Sequence, residues 1–523
     1  MDVYDKSDNG SVTAGENLPY WIDSAQMPSF ETLQSDLETD VLVIGGGIAG
    51  LTTAYLLCKS GHRVCLIEDG LIGSGESGRT TAHLTCALDD RYYFLEHTFG
   101  EKATKLAAES HAAAVDLIEK IVADEQIDCS FKRVDGHLFL HPSDQPENLE
   151  KEYNATQKAG IATEFVQSTP GIANGHNLRS IRFRNQAQFH IMRYLEGLAR
   201  SITRLGGTIY TGTRATEIKS GVVRANGYRI QAQSIVVATN SPVNDVFTMH
   251  TKQHAYRTYV IGCKIPKNSL PYALWWDSGD SDSRWVAAPY HYVRLEPFDD
   301  QYDLLLSGGE DHKTGQADAE NIPEQQRYLR LEHWTREHFP AALDVSYRWS
   351  GQVLEPVDSL GYMGKNPGDD NVYIITGDSG NGMTHTTIGA MIISDMIRGI
   401  DNPWKDLYDP ARVTFRTAPD FIKEAANMAA QYLDWVRPSD VESMEQLPRG
   451  EGGVMTSGVK KMAVYRDADN HLHVFSAVCP HLGCIVQWNG DEKTFDCPCH
   501  GSRFSCNGTV MNGPALTDLE NLE

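Results

Sequence analysis

The chain is short of positive charge: 46 Lys and Arg stand against 70 Asp and Glu, a net charge of −24. Such a surface repels phosphate backbones and anionic lipid, which argues against nucleic acid as a partner. Long apolar runs are missing as well. The most apolar stretch, Val41 to Leu57, carries four glycines and two threonines, and it falls short of the ~20 apolar residues that a spanning helix needs. No membrane span is expected. The opening MDVYDKSDNGSVTAGENLPYW has no basic segment followed by an apolar core, so no secretory signal is read and a cytoplasmic protein is expected. Cysteine is sparse, ten in 523 residues, yet five lie between Cys479 and Cys506. That clustering is too local for a secreted disulfide framework and points to metal chemistry. Internal repeats and low-complexity tracts are absent.

What is present is ordinary globular composition, 41% apolar and 22% charged, in a chain long enough for about two to four domains. Residues 1–39 read as a polar arm with an extended piece at Met27 to Leu33, and no function is assigned to them. From Asp40 the sequence VLVIGGGIAGLTTAYLLCKSGHRVCLIEDG gives an apolar run, a glycine turn, a helix-period segment and a second apolar run, which is a βαβ unit. Helical periodicity follows over about 101–124 and 191–205, and apolar/polar alternation marks strands at 136–140, 208–210 and 228–237. Aromatic-rich strands fill 253–310, and a strand at 373–376 feeds a glycine-rich loop and a helix ending near Gly399. A helix at about 420–432, a Pro/Gly/acidic linker at 437–453 and a small β-rich module complete the chain.

Gly45, Gly47 and Gly50 form GxGxxG between a strand and a helix. Glycine there allows a tight turn and close approach of backbone N–H groups, with those of Ile48 and Ala49, to a pyrophosphate at the helix's positive end. Glu68, 18 residues past Gly50, and Asp69 close the second strand, where a carboxylate accepts from a ribose diol. The blocks GSGESGRTTAHLT (73–85), IVVATNSPV (235–243) and YIITGDSGNGMTHTTIGAMIISDMIRG (373–399) together resemble the D-amino-acid oxidase and glycine oxidase superfamily of FAD-dependent oxidoreductases. The resemblance covers about 40–415 and implies a discontinuous Rossmann-like FAD domain (about 40–100, 190–245 and 346–415). An antiparallel-sheet substrate domain (about 101–189 and 246–345) would cover the flavin. It also implies that Arg79, Thr80 and Thr81 line the phosphate and ring side, that Ala238 and Thr239 flank the dinucleotide, and that Gly377, Asp378, Gly382, Met383 and Thr384 surround the pyrimidine end. His83 stands where a subgroup resembling dimethylglycine and sarcosine dehydrogenases links FAD covalently. The other reading is a histidine that packs beside the ring or bonds a carbonyl.

Cys479-Pro-His481-Leu-Gly-Cys484 and Cys497-Pro-Cys499-His500-Gly-Ser502 supply two half-sites with 15 residues between His481 and Cys497. Thiolates of Cys479 and Cys497 suit one iron of a [2Fe–2S] cluster, and imidazoles of His481 and His500 suit the other. Two Cys and two His also satisfy zinc, but the CPHLGC and CPCHGS context resembles a Rieske domain of the disulfide-bearing type in cytochrome bc complexes, over about 436–523. With 416–453 taken as helix and linker, the all-β domain proper occupies 454–523. The resemblance implies a Cys484–Cys499 disulfide clamping the ligand loops. Ser502 is retained as a hydroxyl donor toward the cluster, whereas Phe504 replaces a tyrosine that bonds a ligand sulfur, and Ala515-Leu516 follows Asn512-Gly513-Pro514. Fewer hydrogen bonds to sulfur place the expected potential in the middle or lower part of the Rieske range of roughly −150 to +300 mV.

The overall expectation is an α/β plus α+β FAD enzyme with an all-β Rieske domain. It would take a hydride from a small amine or amino-acid-like substrate and pass electrons singly through the cluster to a redox protein or quinone. Candidate catalytic residues are Tyr256, Arg257, Tyr259, Tyr292 and Arg294 of the aromatic strands, with an arginine able to clamp a carboxylate, and His385 after the glycine loop; His312 is a weaker candidate. Their facing depends on strand register. The alternatives are an NAD(P)H-linked reductase feeding a partner, for which a second GxGxxG is missing, a Rieske oxygenase, for which His333 and His338 are the nearest pair, and a non-enzymatic redox sensor. The pairs His250/His254 and His137/His141 have i, i+4 spacing without a third ligand and read as structural. The cluster domain could dock within the chain or across a homo-oligomer.

Overall fold

The computed structural model describes residues 15–244, 249–320, 322–435, 441, 443–458 and 460–522, without the side chains of 318, 415 and 418–421. The first 14 residues of the arm and part of the linker at 437–453 thus lie outside the described residues.

Two large sheets form the body. The first runs, from edge to edge, Tyr362–Lys365, Val372–Thr376, Tyr228–Val237, Leu37–Ile44, Val64–Ile67 and Thr208–Tyr210. Its central pairings are parallel, and Val64–Ile67 is buried throughout, as expected of strands covered on both faces. The helix Ile48–Lys59 leaves the first strand at Gly47 and packs against the helix Gly382–Ile397. The second sheet has nine strands, almost all antiparallel, in the order Val345–Pro356, Gln253–Pro266, Tyr302–Lys313, Tyr292–Pro297, Ala273–Asp277, Lys132–Phe139, Ser180–Gln188, His83–Leu84, with Thr163–Val166 at the side of Ser180–Gln188.

Two stretches fall on the other side of the division drawn from sequence. The strand Val345–Pro356 pairs along Gln253–Pro266 in the second sheet rather than in the dinucleotide sheet, and the helix Glu101–Asp124 packs on the Gly382–Ile397 helix of the dinucleotide half. Alternation and periodicity define an element without naming its partner. The arm is built in as well: Tyr20–Asp23 is a helical turn with Trp21 fully buried and its indole N–H donating to the carbonyl of Thr80 at 2.6 Å.

The C-terminal module is a three-stranded sheet, Glu451–Ser457, Lys460–Arg466 and Leu472–Ser476, beside a four-stranded one, Gln487–Asn489, Thr494–Asp496, Arg503–Ser505 and Val510–Asn512. The first strand opens three residues before the 454 boundary. Phe475, Phe495, Phe504 and the four cysteines Cys479, Cys484, Cys497 and Cys499 share one core. The module docks on the second sheet within the same chain. Gln352 donates to the carbonyl of Gly501 at 3.0 Å, and Arg79 forms a wholly buried ion pair with Glu492 at 2.9 Å.

Candidate functional site

A cavity of about 260 Å³ runs from the glycine turn to the face of the second sheet. At one end are Gly45, Gly47, Ile48, Ala49, Glu68, Asp69, Ala238 and Thr239. The turn is steric. Gly45 has φ +112°, and a Cβ there would lie 2.4 Å from the carbonyl oxygen of Ala238. A Cβ on Gly50 would meet the Gly45 carbonyl at 1.9 Å, so Gly50 packs the helix onto the turn without itself lining the cavity. Ser77 accepts from the Ile48 N–H at 3.1 Å at the start of the helix, so a hydroxyl occupies the positive end where a phosphate group is favoured. Glu68 accepts from Gly46 N–H at 2.5 Å and Gly70 N–H at 2.9 Å, and burial pushes its carboxyl up.

The other end is lined by Thr80, Thr81, His83, Tyr292, Asp378, Gly382 and Met383 among the expected residues. His83 is held from both sides, Nδ1 to the Thr81 hydroxyl at 2.9 Å and Nε2 to the Val293 carbonyl at 3.2 Å. Burial pulls its pKa down to about 3, so the ring is neutral. Trp276 and Tyr290 of the aromatic-rich stretch, with Asp89, Asp311 and Glu355, which the sequence did not single out, complete this end. Burial raises Asp89 to about 6 and Asp311 to about 7, and it pushes Glu355 well above the carboxylate range with Asp90 adding to the rise. One oxygen of Asp311 is buried with no hydrogen-bond partner among the described residues.

Several expected residues lie elsewhere. Thr258, between Arg257 and Tyr259, is the one that lines the cavity, since neighbours in a strand point to opposite faces and a bulge interrupts the pairing there. Arg257 is buried against the cluster domain, bonding the Ser350 hydroxyl at 2.9 Å and facing Glu492 at 3.6 Å. Tyr259 bonds His312 Nε2 at 2.9 Å within an apolar cluster, and the Tyr256 hydroxyl donates to Glu424 at 3.3 Å. Arg294 lies behind the flavin-side segment, donating to the carbonyls of Thr81, Ala82 and Phe189 and pairing with Glu296. It positions that segment and is unavailable to a substrate. His385 does not itself line the cavity; its Nδ1 bonds the carbonyl of the lining residue Asp378 at 2.8 Å and the ring meets His111 edge-on. Thr384 bonds His111 at 2.8 Å, and neither it nor Gly377 reaches the cavity wall. Arg79 does border the cavity, but its two terminal nitrogens are spent on Glu492, Ser350 O, Gly15 O and Asn17 O, while Nε is buried with no hydrogen-bond partner among the described residues.

The cluster ligands come from two loops of like construction: Cys479 N–H donates to the Cys484 carbonyl and Gly483 N–H to Cys479 O, while Cys497 N–H donates to Ser502 O and Gly501 N–H to Cys497 O. Cys484 and Cys499 are disulfide-bonded across the loops. The Sγ atoms of Cys484, Cys497 and Cys499 lie within 4.8 Å of one another, but two of them are tied in the disulfide, leaving Cys497 and its hydrogen-bonded neighbour Cys479 as thiolate donors. The rings of His481 and His500 stand 5.0 Å apart and nearly perpendicular, and His500 Nδ1 is buried without a hydrogen-bond partner among the described residues. Two soft sulfurs and two imidazoles carried on these paired loops fit a [2Fe–2S] cluster of the mixed-ligand kind. His250, read from spacing as structural, packs its ring 4.9 Å from His481 and 5.8 Å from His500. The histidine edge therefore faces the chain's own flavin-side domain.

Comparison with known proteins matches both parts of the chain. The FAD dependent oxidoreductase family model matches residues 40–396 and the Rieske [2Fe-2S] domain model residues 437–523. The chain is 34% identical over 514 residues to the "Putative Rieske 2Fe-2S iron-sulfur protein YhfW" of Bacillus subtilis (strain 168), covering 96% of this chain and 97% of that protein. It is 23% identical over 388 residues to gamma-glutamylputrescine oxidoreductase of Escherichia coli (strain K12), covering 71% of this chain and 86% of that one. Glycine oxidase from Geobacillus kaustophilus shares the fold at TM-score 0.57 and 16% identity, over 72% of this chain and 99% of that structure. The cofactors are thus FAD and a Rieske [2Fe–2S] cluster, and the chain belongs to the FAD dependent oxidoreductase family with a C-terminal Rieske domain.

Proposed function

We propose that this enzyme oxidises a C–N bond of a small amine that carries positive charge, and hands the electrons singly to an external redox protein or quinone. Bound FAD supplies two-electron acceptance and the cluster supplies one-electron carriage. The observation that carries the substrate class is the acidic flavin end of the cavity. Asp89, Asp311 and Glu355 line it, and the wall's two arginines are engaged elsewhere, Arg79 with Glu492 and Arg214 with Asp69, Asp518 and the Val510 carbonyl. A substrate carboxylate would meet like charge there, whereas an ammonium group would restore ionisation of carboxyls that burial has raised. The relative gamma-glutamylputrescine oxidoreductase is named for a compound with a cationic amine end as well as a carboxylate, and the amine end is the part this reading places at the acidic wall.

For the electron exit, Gln352 spans from the cavity wall to Gly501, the neighbour of His500. That direct contact supports transfer within one chain. No helix among the described residues is long and apolar enough to cross a membrane. Eight of the cysteines are unpaired, which fits a reducing cytoplasm with a disulfide shielded in the Cys479–Phe504 core.

The test is anaerobic mixing of oxidised protein with mono- and diamines, N-methyl amino acids, hydroxy acids, NADH and NADPH, following the flavin band and then Rieske EPR. A cationic amine is expected to bleach the flavin first, with the EPR signal growing afterwards. Reduction by NAD(P)H alone would instead make the chain a reductase, and no reduction by any of them would favour the sensor. A second expectation concerns attachment. With both nitrogens of His83 in hydrogen bonds, FAD is held without a covalent link, so acid precipitation should leave all yellow colour in the supernatant; flavin in the pellet sinks this.

A further inference from the structure

Six residues of the cluster domain's third loop, Val510, Met511, Asn512, Gly513, Ala515 and Leu516, line the same cavity as the glycine turn Gly45–Gly47. The loop is anchored on both sides of the dinucleotide cradle. On one side Arg214 donates to the Val510 carbonyl at 3.0 Å and faces Asp518 at 3.5 Å, while its Nε lies 3.6 Å from Asp69 beyond the second strand. On the other side Gly513 abuts the loop after Ala238, where a Cβ would lie 3.0 Å from Val243 Cγ1. Between them Asn512 donates through Nδ2 to Glu76 at 3.0 Å, and its Oδ1 is buried with no partner among the described residues, which leaves an acceptor at the cavity wall. The same loop is tied to the cluster site by the Ala515 N–H donating to the Ser502 hydroxyl at 3.0 Å.

We infer that this loop is a wall of the FAD site, so that FAD retention and docking of the Rieske domain are one linked equilibrium. The dinucleotide half supplies the turn, the capping hydroxyl of Ser77 and the strand-end carboxylates; the cluster domain supplies the lid. A ligand that binds only the docked arrangement stabilises it by mass action, and by reciprocity the docked domain slows the ligand's escape. A flavin held without a covalent bond gains the most from such a lid.

The test uses the full chain with both cofactors. Asn512→Ala is expected to release FAD about ten-fold faster, the loss of one good contact. Release is followed as free-FAD fluorescence after dilution, and the Rieske EPR intensity of the reduced protein should stay unchanged. An unchanged release rate with intact EPR overturns the inference. Because that variant can unfold the cluster domain, a second measurement uses the unmodified chain stripped of FAD and reloaded. Limited proteolysis between residues 441 and 450 should slow several-fold at saturating FAD, and equal cleavage with and without FAD overturns the linkage.

Discussion

Glu492→Ala is expected to destabilise the chain by about 3–5 kcal/mol, the loss seen when one partner of a buried ion pair is removed. Glu492 is the convergence point of the domain boundary. Its carboxylate accepts from Arg79 at 2.9 Å, from the Ser350 N–H and hydroxyl and from the Asn17 N–H at 3.1 Å, with Arg257 at 3.6 Å. Both Arg79 and Arg257 are about 1% exposed, so the variant leaves two guanidinium groups dry and underpaired. A shift of the urea midpoint by less than the equivalent of about 1 kcal/mol, the level of a surface pair, would count against this account. The pH dependence gives a second readout. Burial alone would raise the Glu492 carboxyl, but Arg79, Arg257 and Arg503 hold it down to about 2. A depressed acid contributes stability that is present above its unfolded value of about 4.3 and is lost as pH falls toward the folded one. The difference between the parent and Glu492→Gln should therefore be full at neutral pH and shrink between about pH 4 and 2. Replacing Arg79 together with Glu492 by apolar residues should cost less than the sum of the single changes.

What could be read from sequence was what is local in sequence. The glycine turn, with its strand and helix, lies within Leu37 to Lys59, and the four cluster ligands lie within Cys479 to His500, so their spacing could be read directly, while the Cys484–Cys499 pairing followed from the resemblance those motifs carry. The partner of Arg79 is 413 residues away, and no periodicity announces that a block resembling a flavin-phosphate motif would spend its guanidinium on another domain. The candidates on Gln253–Pro266 failed for a different reason. Strand register decides facing, and one bulge at Arg257/Tyr259 turned Thr258 to the cavity and its neighbours to the apolar core and the docking surface. His250 shows the converse. Its pairing with His254 carried no third ligand in sequence, yet tertiary packing sets it against His481 and His500. Asp89 and Asp311 left no trace because an acid in a loop or strand end reads as solvated surface until a cavity closes around it.

Those two acids carry the remaining prediction. Asp311→Asn is expected to lower kcat/KM for a cationic amine by about 10- to 100-fold, the worth of a charged hydrogen bond in a desolvated site, chiefly through KM, and Asp89→Asn should act in the same direction. Asparagine keeps the shape and the contact with the Thr258 hydroxyl's neighbourhood while removing the charge. Since burial raises Asp311 to about 7 and Asp89 to about 6, both are partly protonated in the free enzyme near neutrality. A cation binds the ionised forms, so binding expels protons and apparent affinity climbs as pH rises through 6 to 7, then levels. Asp311→Asn should flatten the upper part of that climb, and Asp89→Asn the lower part. A merely structural role for either acid would lower stability or kcat without moving the pH profile of KM. Should Asp311→Asn leave amine kinetics untouched and improve turnover of a carboxylate-bearing substrate no more than the parent, the acidic end would have no part in choosing the substrate, and the electron donor would have to be sought among uncharged compounds.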